Sequence, residues 1–134
     1  MAANGTGAAK VRDLELDDAL LRRIRSVVQP GDEISTITTK RPNLISAIGR
    51  EGIWVETLRS ERRRSGAQLV PAWMLMVAWQ HLQKTGTLSH AELLNQLNVK
   101  RSAFVIALLA QFADVIVRST RPIKVELIGD HDRM

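Results

Sequence analysis

Apolar residues recur at helical spacing early in the chain. Leu20, Leu21, Ile24, Val27 and Val28 share one stripe, and Arg22, Arg23 and Arg25 lie mostly off it. This predicts a helix from about Asp17 to Val28, ended by Pro30-Gly31. The spacing then shortens. Ile34 to Thr39 is rich in Ile and Thr, Leu44 to Ile48 is a second apolar run, and Ile53 to Leu58 alternates Ile53, Val55 and Thr57 with Trp54, Glu56 and Leu58. With turns at Arg41-Pro42-Asn43 and Gly49-Arg50-Glu51-Gly52, residues 33–59 read as a three-stranded antiparallel meander. A short helix through Asn43 to Gly49 is the competing reading, because so brief a run carries little periodicity.

Pro71 suits the first turn of a helix that runs to about Lys84 and stops near Gly86. Ala72 to Trp79 is apolar all the way round, which predicts a helix covered on more than one side. Trp73, Met74, Met76 and Trp79 read as core bulk, with a ligand pocket as the alternative. Ser89 sits where a helix N-cap belongs, one turn ahead of Glu92, and a helical stretch follows from His90 to Leu97. Asn98-Val99 breaks the chain, and a second helix is expected from about Lys100 to Phe112. Two strand-like runs, Asp114 to Arg118 and Ile123 to Ile128, then flank a polar turn at Ser119 to Pro122.

This order over roughly the last third resembles a winged helix-turn-helix. The resemblance implies an α+β fold, with the N-terminal helix and three-stranded antiparallel meander packed on a C-terminal winged helix. It divides the chain into a disordered tail at 1–12, a helix and meander with a basic loop at 13–66, a winged-helix-like unit at 67–128 and a tail at 129–134. It also implies nucleic-acid binding. Lys100, Arg101 and Ser102 fall in the expected first turn of the second helix, where such helices present donors to phosphates and base edges. Arg118, Arg121 and Lys124 surround the expected wing turn.

Charge strengthens that expectation. Nineteen basic residues against fourteen acidic ones leave 134 residues with a net +5, which favours an anionic partner. The excess is regional. Lys40 to Arg64 holds seven basic residues and three acids, and Lys84 to Lys124 holds six and two. The densest positive stretch is Arg59 to Gly66. Its Arg62, Arg63 and Arg64, with nearby Lys40 and Arg41, suit contacts with a phosphate backbone, as against a merely solvated surface loop.

At 45% hydrophobic and 25% charged, the length fits one ordinary domain or two small ones sharing a core. No apolar run approaches the ~20 residues that span a bilayer, the polar start is no secretory signal, and cysteine is absent. These features lead us to expect a cytoplasmic protein. Ala103 to Ala110 complicates direct reading of bases. Eight consecutive apolar residues give this helix no polar outward face, so either its tip alone enters a groove or its outer face is covered by another subunit or segment. A homo-oligomer is one way to cover it.

Catalysis is not expected. His81, His90 and His131 stand nine and forty-one positions apart with no paired carboxylates at ligand spacing, so no metal or other cofactor is called for. Acids near Arg59 lack the spacing of a metal-dependent nuclease. Few aromatics argue against single-strand binding by stacking. The sequence therefore points to a small binding protein, with duplex DNA favoured, acting as a regulator or accessory DNA-binding subunit of a larger complex. The alternative is a protein-interaction or oligomerisation adaptor that uses the same scaffold without nucleic acid.

Overall fold

A computed structural model of the chain describes residues 15–57 and 66–128. The architecture is α+β: two antiparallel sheets joined by a buried helix. The expected tails, 1–12 and 129–134, lie outside the described residues.

Helix α1 (Asp18–Val27) begins where Asp17 accepts a hydrogen bond from the Leu20 N–H at 2.7 Å. That carboxylate satisfies one of the donors a helix start leaves open. Leu20, Leu21 and Ile24 are buried, as their spacing predicts.

Strands β1 (Glu33–Ser35), β2 (Pro42–Gly49), β3 (Gly52–Glu56) and β4 (Gln68–Pro71) form one antiparallel sheet in sequence order. The meander therefore has a fourth strand beyond the three expected. Strand β1 is also shorter than the Ile34–Thr39 run. Thr36 ends it by closing a turn on itself. Its hydroxyl meets that of Thr39 at 2.7 Å and accepts from the Arg41 N–H at 2.9 Å, and its backbone N–H donates to Arg41 O at 2.9 Å. Hydroxyl groups that bond nearby backbone compete with sheet pairing, so threonines that favour a strand by shape here hold a turn. Pro42 consequently opens β2 instead of sitting in the turn.

Gly52 begins β3 at φ +137, and a Cβ there would stand 2.1 Å from Val70 O. Only glycine lets β3 and β4 approach so closely. Pro71 ends β4, pairs with Gly52, and occupies the N-cap position of the next helix without a side-chain capping bond. Helix α2 (Ala72–Thr85) buries eight side chains, from Ala72 to Leu82, and packs against β3 and β4 as well as the C-terminal strands at 87–89 and 123–127 and the helix at 102–109. Burial of a Leu such as Leu75, fully enclosed, is worth roughly 1.5–3 kcal/mol. Gly86 ends α2 in the left-handed region at φ 84.

Strand β5 (Thr87–Ser89), helix α3 (His90–Asn95), helix α4 (Ser102–Leu109) and strands β6 (Val115–Thr120) and β7 (Ile123–Leu127) complete the chain. The second sheet has the order β5-β7-β6, all antiparallel. Ser89 caps α3 through a reciprocal pair of bonds with Glu92, as the sequence predicts. Helix α4 is shorter than expected at both ends. Asn98, at φ 55, and Lys100 lie in the connection, and Arg101 is the residue before the first helical turn.

Phe104 to Leu109 are all buried, and α4 packs on α2, α3 and β1. The apolar run that left two possibilities open is thus core, covered by the N-terminal sheet of the same chain. Burying it requires no second subunit. Buried residues from both halves belong to one hydrophobic cluster, from Leu16 to Val125. No helix among the described residues is long and apolar enough to cross a membrane.

Candidate nucleic-acid interface

The turn between β1 and β2 organises one flank of the molecule. Thr36 holds its base, Lys40 adopts φ 58, and Lys40 and Arg41 project into solvent. From this turn Thr38 donates its hydroxyl to Thr120 O at 2.7 Å. Thr120 ends β6, so the tip of the β6–β7 hairpin lies against the turn that carries Lys40 and Arg41. Arg121, in the two-residue connection, and Lys124, on β7 opposite Ser119 and Ser89, are exposed. Neither side chain has a hydrogen-bond or ion-pair partner among the described residues.

The same turn also faces the start of α4. Arg41, Pro42 and Asn43 line an open cleft of about 940 Å³ together with Lys100 to Phe104, Thr57 and Gln68. No carboxylate is among these lining residues. Asn43 and Ser102 are buried at 5% and 3% exposure, and the Asn43 NH2 and the Ser102 hydroxyl are already engaged. The Asn43 amide donates to Ile34 O and Arg41 O at 3.2 Å, and the Ser102 hydroxyl meets His90 Nε2 at 2.8 Å. The rim is different. Lys100 and Arg41 are exposed with no side-chain partner among the described residues. Arg101 is half-buried and donates to Gln68 Oε1 at 2.9 Å, and burial pulls its guanidinium below the ordinary pKa for arginine.

The sequence-predicted residues therefore separate into groups. Arg41, Lys100 and Arg101 share the cleft lining. Lys40 and Arg121 lie in the turn and the connection that the Thr38–Thr120 bond brings together, and Lys124 is exposed on the neighbouring strand β7. Ser102 faces inward and ties α3 to α4. Arg118 lies on the β6–β7 face but is ion-paired with Glu126, so its charge is locally compensated. Arg62, Arg63 and Arg64 lie outside the described residues, and so does all of the 58–65 segment of the basic loop. Thr57, which immediately precedes that segment, and Gln68, the third residue after it, line the cleft.

Sequence reasoning missed Gln68 and Asn43. The signal was thin: both are single amides in short runs, and only the pairing of β4 with β3 and the docking of α4 near β1 bring them together. It also missed the role of Arg23. This guanidinium bonds Asp114 at 2.7 Å and stacks 4.7 Å from the Trp79 ring and 5.2 Å from that of Phe112. It lines a second, shallower hollow with Arg22, Ala113 and Asp114. Asp114 precedes β6, whereas Thr120 ends it, so this hollow lies at the opposite end of the hairpin from the cationic turn. Among the described residues no three potential metal ligands cluster. No protein-family model, curated protein or solved structure matches the chain.

Proposed function

We propose that this protein binds nucleic acid, duplex DNA above all, by neutralising backbone phosphates along one cationic flank. The observation that carries the reading is the adjacency of three separate stretches: Lys40-Arg41, Lys100-Arg101 and the Arg121/Lys124 hairpin end. The Thr38–Thr120 bond and the shared cleft bring them side by side. Cations placed this way displace counterions from a polyanion, which supplies affinity without sequence information. The sequence α2-β5-α3-α4-β6-β7, with β7 central in its sheet, supports the winged-helix reading of the C-terminal half.

The mode differs from that of a helix laid along a major groove. Helix α4 stands where a recognition helix would be, yet its side chains from Phe104 to Leu109 are enclosed. Base-edge readout needs exposed donors and acceptors, so specificity through the body of α4 is not part of this proposal. The apolar run that favoured an adaptor is consumed within the chain. A non-enzymatic accessory or regulatory subunit, acting in the cytoplasm on DNA, fits these features best.

Fluorescence anisotropy with a labelled random-sequence duplex tests it. The double variant K40A/R41A should lose about tenfold in affinity at low salt and lower the salt dependence by about two phosphate contacts. R22A, at the far end of the hairpin, should stay within about twofold of the parent. Equal losses in both would mean that binding follows net charge and not this flank.

A further inference from the structure

Among the described cleft cations, Arg101 differs in being half-buried without a counter-charge. Of its five N–H donors, one reaches the neutral Gln68 amide oxygen, and no carboxylate meets the others among the described residues. Withdrawing a guanidinium from water without a counter-charge costs free energy that an arriving anion returns. Arg41 and Lys100 line the same cleft, so it concentrates positive charge over buried groups, the Asn43 NH2 and the Ser102 hydroxyl, that are already hydrogen-bonded to their neighbours. No carboxylate among the lining residues opposes an oxyanion. The volume, about 940 Å³, lies at the upper end of ordinary ligand clefts and leaves room for the sugar units around a phosphate.

Resting on the nucleic-acid reading for the source of the group, we infer that this cleft seats a single phosphate, gripped by the fork of Arg101 between Arg41 and Lys100. The fork matters because a guanidinium can give two parallel bonds to a phosphate where an ammonium gives one point contact. Within the broad cationic flank this seat is the anchor, and the exposed lysines act over a longer range.

Two titrations of the full-length protein test the seat and separate it from the reading beneath it. In the first, inorganic pyrophosphate is added to ¹⁵N-labelled protein. The amide signals of Arg101, Ser102 and Ala103 should move most, and R101Q should lose those shifts while melting within a few degrees of the parent. In the second, R101Q should bind a 20-base-pair duplex at least tenfold more weakly, and R101K should recover less than half of that loss on a logarithmic scale. Parental duplex affinity in R101Q overturns the seat while leaving the nucleic-acid proposal intact. Pyrophosphate shifts spread evenly over Lys84, Arg121 and Lys124 overturn it too. Cleft-confined shifts without any duplex binding by the parent protein would support the seat and remove nucleic acid as its source.

Discussion

The Thr38 hydroxyl donates to the Thr120 carbonyl across 2.7 Å and joins residues 82 positions apart. One partner belongs to the turn between the first two strands, the other to the end of the last hairpin. The bond is exposed, so its own contribution is modest, about 0.5–1.5 kcal/mol at most. Its consequence is geometric: the turn that carries Lys40 and the connection that carries Arg121 lie side by side. T38V should leave the fold intact and reduce duplex affinity by a few fold, measured by anisotropy. An unchanged affinity would mean the hairpin end needs no support from the turn.

Charge compensation distinguishes the hairpin's basic residues. Arg121 and Lys124 have no partner among the described residues, whereas Arg118 is paired with Glu126. Replacing Arg121 or Lys124 with Ala should reduce the log–log salt slope by about one each. R118A should change it by less, because its charge is already partly neutralised and Glu126 is left free. A salt titration of the three variants ranks them.

Helix α4 tests the claim that its outer face is covered. Ala107 is 1% exposed and lies amid Phe104, Val105, Ile106 and Leu108. A107K would bury an ammonium without a partner, and we expect it to cost about 3 kcal/mol or more in urea denaturation. A helix open to a groove would tolerate the same change within about 0.5 kcal/mol. S102A should cost about 1 kcal/mol through the lost His90 bond and leave duplex binding unaltered.

Arg23 ties α1 to the residue before β6 through Asp114 and lies over Trp79 and Phe112. The ion pair is about one-third exposed on each side, so most of its value comes with the ring contacts. R23A should destabilise by about 1–2 kcal/mol, and R23K should restore only part of that. Duplex affinity should be unaffected, since this end of the hairpin lies away from the cationic turn.

Acid should weaken the fold by a defined route. The Glu51 carboxylate accepts bonds from backbone and from the Trp54 ring N–H at 3.0 Å, which hold it below its ordinary value of 4.5. Arg50, by hydrogen bond and charge, holds Asp18 below 3.8. Both groups bind fewer protons in the folded state than in the unfolded chain over this range. Their stabilisation is complete above those ordinary values and is lost as pH falls through the lower folded ones. Melting temperature should therefore drop from about pH 4.5 downward, and E51Q should flatten part of that fall.

Much of the secondary structure was legible because local chemistry dictates it. The stripe of α1, the all-apolar α2 bounded by Pro71 and Gly86, and the Ser89–Glu92 cap each follow from residues within one or two turns. Strands β4 and β5 were not. Gln68 to Pro71 and Thr87 to Ser89 are too short to show alternation, and only distant partners, β3 and β7, make strands of them. The Thr36–Thr39 turn was hidden for a different reason, since its threonines favour strands until their hydroxyls find each other. The candidate site was half legible: composition marked its cations, but the cleft that brings Arg41 and Arg101 together depends on packing α4 near β1. The all-apolar face of α4 was the one sequence signal for that covering.

Affinity for a random duplex between 50 and 200 mM salt is the decisive quantity. About five phosphate contacts predict a log–log slope near −4.5 and a loss on the order of five-hundredfold across that range. Undetectable association at 50 mM salt, or a slope close to zero, would contradict a protein that works by neutralising a phosphate backbone.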